Sequence, residues 1–122
     1  MYNILTLNKI SESGLQYFGS NYNCATEVKD PDAVLVRSAS MHGMPLSDKT
    51  LAVARAGAGV NNIPVDELSE KGIVVFNTPG ANANAVKELV LCGLLLTSRK
   101  IVAGIEWTKT LKGEDEVGKL VE

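Results

Sequence analysis

The sequence predicts an α/β fold, in which about five strands form a doubly wound parallel sheet and a long apolar helix follows. Three features indicate this fold. Short apolar segments alternate with helix signals over residues 1–76. The last of these segments, residues 73–76, carries no polar side chain. Residues 82–100 place apolar side chains on most sides of a helix. Strands that alternate with helices are typical of a parallel sheet whose ligands bind beyond the carboxyl ends of its strands.

The first part of the predicted sheet begins at the amino terminus. Residues 2–7 have the composition of a strand. Ser11 and Glu12 can begin a short helix that runs to residue 18 and ends at Gly19. Residues 24–28 predict a second strand, which we place at an edge of the sheet.

The third and fourth predicted strands each end in an arginine. Residues 33–37 follow the chain-breaking Asp30-Pro31 and end at Arg37, and residues 51–55 end at Arg55. The segment between them, residues 38–47, is predicted to be an irregular, solvent-facing loop. Because parallel strands share one carboxyl edge, we expect both guanidinium groups to converge on one small anionic ligand.

A glycine-rich turn follows the fourth predicted strand. Gly57 and Gly59 lack side chains, so a ligand could approach the main-chain N–H groups there. The Gly-Ala-Gly sequence resembles the start of a dinucleotide-binding fingerprint. However, Asn62 occupies the place of the third glycine, and Asn77 rather than an acid follows the next strand. The turn therefore favours an anion site over a nucleotide site.

The remaining elements are a helix, a strand and the long helix. Pro64 is suited to begin a helix that Gly72 ends, and residues 73–76 predict a strand buried on both faces. The long helix begins at about residue 82 and runs to about residue 100, and it could extend to residue 107. A helix so apolar is expected to pack on a second domain or subunit.

Composition excludes several classes of function. The chain has 122 residues and a net charge of −2, which gives no reason to expect nucleic acid or an anionic membrane as a partner. The apolar run at residues 89–96 is too short to span a bilayer. The single histidine, His42, has no acidic neighbour, and the sequence contains no metal-ligand cluster. The start of the chain lacks a signal peptide, so we expect a cytoplasmic protein.

Four sequence blocks together resemble the NAD-dependent D-2-hydroxyacid dehydrogenases. The blocks are Val36-Arg-Ser-Ala39, Arg55-Ala-Gly-Ala-Gly-Val-Asn-Asn-Ile63, Gly72-Ile-Val-Val-Phe-Asn-Thr-Pro-Gly-Ala-Asn82 and Glu88-Leu-Val-Leu91. The resemblance extends over nearly the whole chain, and the first block favours the phosphoglycerate branch of the family. Asn61 departs from the pattern, since relatives usually carry aspartate there.

The resemblance implies a domain organisation. Residues 1–82 would form a flavodoxin-like substrate-binding domain. Residues 83–122 would form the inter-domain helix and the start of a region that binds the cofactor and makes a homodimer. The Rossmann domain, the catalytic residues and most NAD-binding residues would lie beyond residue 122. The 122-residue chain alone is therefore expected to be inactive.

The resemblance also implies an activity and a set of site residues. The activity would be the oxidation of 3-phospho-D-glycerate to 3-phosphohydroxypyruvate with NAD, in L-serine biosynthesis. The alternatives are a glyoxylate or hydroxypyruvate reductase of the same family and a non-catalytic flavodoxin-like module that binds an anion. No catalytic residue and no metal site are expected in this chain. The implied substrate-binding residues are Arg37, Ser38, Arg55, Ala56, Gly57 and Asn82, and Ala58 is implied to lie against the nicotinamide end of NAD.

Overall fold

A five-stranded parallel sheet forms the first of two compact units in the chain. The structure, a computed structural model, describes residues 1–121, and the first unit covers Met1–Ala81. The strands are β1 (Tyr2–Leu7), β2 (Tyr22–Ala25), β3 (Ala33–Val36), β4 (Ala52–Arg55) and β5 (Val74–Phe76). Two short helices, α1 (Glu12–Leu15) and α2 (Val65–Glu70), lie between strands.

All neighbouring strands are parallel, and their order in the sheet is β2-β1-β3-β4-β5. This is the flavodoxin-like order, in which the chain changes direction beside the first strand. The predicted α/β fold is therefore confirmed. Helix α1 is shorter than predicted, and the edge strand β2 begins at Tyr22, two residues before its predicted start at Cys24.

The main core lies on one face of the sheet. Leu5, Val34, Val53 and Val75 are in register across four strands and so point to the same face. Val34 and Val53 are fully buried. Side chains from α2 and the loops complete this core, namely Met41, Ile63, Leu68 and Ile73.

The loop between β3 and β4 differs from the prediction. It contains no helix, but Met41 is only 1% exposed, and Met44 and Leu46 pack against the core. The prediction of a wholly solvent-facing loop is wrong, because this crossover must itself supply the apolar cover that a helix would otherwise provide. A main-chain hydrogen bond of 2.8 Å from Met41 N–H to the carbonyl of Asn62 fixes the loop.

Strand β5 also differs from the prediction. Val74 is 47% and Phe76 is 56% exposed, so only Val75 of this strand packs against the core. The expectation that β5 is buried on both faces is wrong. Val74 and Phe76 point to the face opposite Val75, and the core of the described residues lies on the Val75 face.

An acidic side chain ties strands together at the amino-terminal edge of the sheet. The carboxylate of Asp32 accepts a hydrogen bond of 2.7 Å from the Asn3 N–H, and Lys49 Nζ lies 3.4 Å away. The hydrogen bond from Asn3 and the charge of Lys49 hold the pKa of Asp32 below its ordinary value, although desolvation acts in the opposite direction. The acid at this edge is thus neutralised by an internal ion pair, whereas the arginines at the carboxyl edge, described below, have no such partner.

The second unit begins at Asn82 and is helical. Its helices are α3 (Ala83–Ser98), α4 (Ile101–Thr110) and α5 (Val117–Leu120). The prediction that α3 could continue to residue 107 is wrong, because Lys100 adopts a left-handed conformation (φ 51°) and a new helix follows. Asn82 occupies the N-cap position of α3, but its side chain makes no capping hydrogen bond.

Helix α3 buries none of its residues within the described chain. Its leucines include Leu89, which is 73% exposed, and Leu94 and Leu95, which are more than 60% exposed. The described helices are nevertheless too short or too polar for any of them to cross a membrane.

Candidate anion-binding site

The two predicted arginines lie at the carboxyl edge of the sheet, on neighbouring strands. Arg55 is the last residue of β4 and pairs with Val36, so Arg37 follows β3 one position further along. Arg55 Nε donates a hydrogen bond of 3.0 Å to the main-chain carbonyl of Arg37. The sequence prediction that both residues reach this edge is confirmed.

The backbone nevertheless directs the two side chains to opposite faces of the sheet edge. Side chains alternate between faces along a strand. Arg55 comes two residues after the core residue Val53 and shares its face, whereas Arg37 directly follows the core residue Val36 and belongs to the other face. The cavity described below is lined by Arg37 and not by Arg55, so the convergence of both groups on one ligand stays a prediction.

Arg55 lies along the glycine turn. A Cβ atom at Gly59 would lie 2.8 Å from Arg55 Nη1, and one at Gly57 would lie 3.4 Å from Arg55 Nε. Arg55 Nη1 also contacts the side-chain oxygen of Asn61 at 3.4 Å. Gly59 therefore makes room for the guanidinium group, a role that was not predicted from the sequence, whereas a Cβ at Gly57 would be in ordinary contact with Arg55.

The turn also presents main-chain donors. The N–H groups of Gly57, Ala58 and Gly59 donate to no acceptor within residues 1–121. In contrast, the Ala56 N–H donates to the Val36 carbonyl at 2.8 Å, and the Ser38 N–H donates to Asn8 Oδ1 at 3.0 Å. Of the predicted site residues, Gly57 and Ala58 thus retain free main-chain donors, while Ser38 retains only its hydroxyl.

Two residues after β5 hold the turn in place. Asn77 Nδ2 donates to the Ala58 carbonyl at 2.7 Å, and the Thr78 N–H donates to the Gly57 carbonyl at 2.9 Å. Because the carbonyls point toward Asn77 and Thr78, the N–H groups of the turn remain available to a ligand. The Asn-Thr-Pro block therefore shapes this site from within the first unit.

Neither arginine is neutralised by an internal acid. Within residues 1–121, the ion pairs are Lys49–Asp32, Lys109–Glu106 and Lys119–Glu116, and none involves Arg37 or Arg55. Asn61, where the family pattern has an acid, places a neutral amide beside Arg55. Arg37 and Arg55 thus place two positive charges at the carboxyl edge that no ion pair among residues 1–121 neutralises.

A cavity of about 870 Å³ opens on the Arg37 side of this edge. It lies against the segment after β1, and its lining residues are Lys9, Ile10, Ser11, Glu12, Ser13, Gly14, Arg37 and Ala56. Arg55 is not among the described residues that line it. Lys9 was not predicted as a site residue from the sequence, although its position shortly after the first strand places it at the same edge.

The parallel sheet with an unpaired cationic carboxyl edge is that of an α/β protein with a candidate site for small anions. The family model for the D-isomer specific 2-hydroxyacid dehydrogenase catalytic domain matches residues 4–118. The chain belongs to the D-isomer specific 2-hydroxyacid dehydrogenase family, as the sequence blocks indicated.

Curated relatives carry two different names. A hydroxypyruvate reductase of Thermotoga maritima is 38% identical over 102 residues, covering 75% of this chain and 33% of the relative. The D-3-phosphoglycerate dehydrogenase of Methanocaldococcus jannaschii is 35% identical over 103 residues, covering 76% of this chain and 20% of the relative. That of Bacillus subtilis is 31% identical and covers 90% of this chain and 25% of the relative. The chain thus spans a third or less of the length of these relatives.

A solved structure agrees with the fold. The 3-phosphoglycerate dehydrogenase of Entamoeba histolytica, crystallised with NAD⁺, matches with a TM-score of 0.61 and 24% identity. The match covers 78% of this chain and 38% of that chain. This likeness supports the architecture of the sheet.

Proposed function

We propose that the chain is the amino-terminal, substrate-binding part of an NAD-dependent D-2-hydroxyacid dehydrogenase that oxidises 3-phospho-D-glycerate to 3-phosphohydroxypyruvate. The single observation that carries this proposal is the pair of unneutralised arginines at the carboxyl edge of a sheet of this family. In this proposal, residues 1–82 bind the substrate. Residues 83–122 form the inter-domain helix and the start of the region for cofactor binding and dimerisation.

The substrate would be held at both of its charged ends. Arg55 and the free N–H groups of the Gly57–Gly59 turn suit a carboxylate, because a guanidinium group and main-chain donors can bind both carboxylate oxygens. Arg37 lies on the other face and suits the phosphate. The hydroxyl of Ser38 and the side chain of Asn82 are further proposed contacts. Holding both ends would fix the carbon that loses the hydride.

The NAD cofactor would be held mainly by residues beyond this chain. Within it, Ala58 is exposed, its side chain is a single methyl group, and its N–H is free. These properties fit a flat ring placed against the turn, so we assign Ala58 to the nicotinamide end. When bound, NAD supplies the hydride acceptor, and the part of this chain is to orient the substrate.

Two observations bear on the choice of substrate. A second unpaired cation, Arg37, lines a cavity at this edge, and a second cation favours a substrate with a phosphate group in addition to its carboxylate. A reductase of hydroxypyruvate or glyoxylate is the second candidate, because a relative at 38% identity is named hydroxypyruvate reductase. For the first candidate, we place the enzyme in L-serine biosynthesis in the cytoplasm.

Turnover by the complete protein tests the proposal. We expect NADH-dependent reduction of 3-phosphohydroxypyruvate with a higher kcat/KM than for hydroxypyruvate or glyoxylate, measured at 340 nm as a loss of absorbance. The 122-residue chain, assayed in parallel, should give no turnover. A preference for the unphosphorylated substrates would favour the reductase, and inactivity of the complete protein on all three would refute both candidate activities.

We further propose that α3 contributes to a homodimer. Leu89, Leu94 and Leu95 leave a large apolar surface exposed, which soluble proteins rarely tolerate without a partner. Light scattering of the complete protein should give twice the mass of one chain, and Leu89→Lys should lower the dimer fraction while the polar-site control Lys87→Gln should not. A monomeric wild-type protein at micromolar concentration would exclude this assembly.

A further inference from the structure

The cavity beside Arg37 contains a second cation that no step of the proposed function has used. Lys9 and Arg37 are the basic side chains among the residues that line it, and Glu12 is the acid. No described carboxylate forms an ion pair with Lys9 or Arg37, and this includes Glu12 within the same cavity. The lining of the cavity therefore includes two basic residues whose charges no ion pair neutralises.

Asn8 connects the two segments that carry these cations. It adopts a left-handed conformation with φ 67°, which turns the chain after β1. Its side-chain oxygen accepts hydrogen bonds from the N–H groups of Ser38 and Ala39, at 3.0 and 2.5 Å. Lys9 directly follows Asn8, and Arg37 directly precedes Ser38. The backbone positions of the two cations are thus fixed relative to each other by hydrogen bonds between their immediate neighbours.

Hydroxyl groups complete the lining of the cavity. Ser11 occupies the N-cap position of α1 but makes no capping hydrogen bond with its side chain, so its hydroxyl remains available. Ser13 also lines the cavity. Two cations with nearby hydroxyl donors match a phosphate monoester, which carries about −1.5 to −2 charges at pH 7 and three acceptor oxygens. A carboxylate, with one charge and two oxygens, would use only part of this set.

We propose that Lys9 binds the phosphate group together with Arg37, and that Lys9 thereby determines the preference for a phosphorylated over an unphosphorylated hydroxyacid. Asn8 is a positioning residue, since it acts through the loop that carries Lys9. This inference rests on the proposed function for the choice of ligand. The phosphate-binding chemistry itself rests on the cavity and its charges.

Binding of 3-phosphoglycerate and glycerate to the 122-residue chain tests the inference without turnover. NMR titration of backbone amides gives both dissociation constants, and their ratio measures the preference for phosphate. Lys9→Met should reduce this ratio by about tenfold, the effect of one lost charge-assisted contact. The matched control is Lys29→Met, which removes an exposed lysine that does not line the cavity. It should leave the ratio unchanged.

A positioning variant and a turnover assay complete the experiment. Asn8→Gly permits the left-handed backbone but removes the side-chain acceptor, and it should also lower the ratio. A wild-type chain that does not prefer 3-phosphoglycerate, or a Lys9→Met variant with the wild-type ratio, would overturn the inference. If binding depends on Lys9 but the complete protein shows no dehydrogenase turnover, the proposed function fails and the phosphate site stands.

Discussion

Replacing Arg55 with alanine is expected to lower kcat/KM of the complete protein for its hydroxyacid by about 10- to 150-fold, equivalent to roughly 1.5–3 kcal/mol. The variant loses a permanent charge that no internal acid neutralises, and it loses the donor that lies along the Gly57–Gly59 turn. Most of the loss should appear in the KM for the hydroxyacid, because Arg55 is assigned to substrate binding and the KM for NAD depends on other residues.

Two further variants make this prediction specific. Arg55→Lys keeps the charge but lacks the forked donors of the guanidinium group, so it should recover only part of the lost affinity. Arg99→Ala removes an exposed arginine at the end of α3 and should leave the KM unchanged. Steady-state kinetics with both substrates varied will separate the effects. An Arg55→Ala enzyme within twofold of wild type would remove Arg55 from the site.

Replacing Met41 with alanine should destabilise the first unit by about 2–5 kcal/mol. Met41 is 1% exposed and lies in the core together with Val36 and Val53, so truncation would leave a cavity that the packed sheet cannot fill. Urea unfolding followed by circular dichroism measures the free-energy change.

Substitutions of similar chemistry provide the controls for Met41. Met41→Leu keeps most of the volume and should cost less than about 1.5 kcal/mol. Met44→Ala removes a side chain that is only partly buried, and its effect should be smaller than that of Met41→Ala. Equal stabilities of Met41→Ala and wild type would show that the loop contributes little to the core.

The strands could be predicted from sequence because burial of a parallel sheet demands short apolar segments. The prediction for β1, residues 2–7, matches the observed strand at both ends. Exposure of individual strands was harder to predict, since Val74 and Phe76 are as apolar as core residues and the sequence does not show that their face of the sheet lies opposite the core. The burial of Met41 was not predicted because the apolar residues around it follow neither the spacing of a helix nor that of a strand.

The candidate site was predictable to the level of the sheet edge and not to the level of side-chain direction. Strand ends can be located from sequence. The face cannot be, and it differs here because Arg37 directly follows the core residue Val36 whereas Arg55 lies two residues after the core residue Val53. A shift of one residue in a strand boundary reverses such an assignment. The contribution of Asn8 depends on a left-handed backbone and a contact 30 residues away, which the local sequence does not encode.

The placement of Arg37 and Arg55 on the two sides of one sheet edge has a consequence for selectivity by size. Because the two side chains leave neighbouring strands toward opposite faces, a molecule must extend from one face of the sheet edge to the other to reach both cations. A three-carbon acid with a negative group at each end has the necessary span, whereas a two-carbon acid such as glyoxylate could be anchored at one end only. Selectivity at this edge would therefore depend on the length of the ligand as well as on its charge.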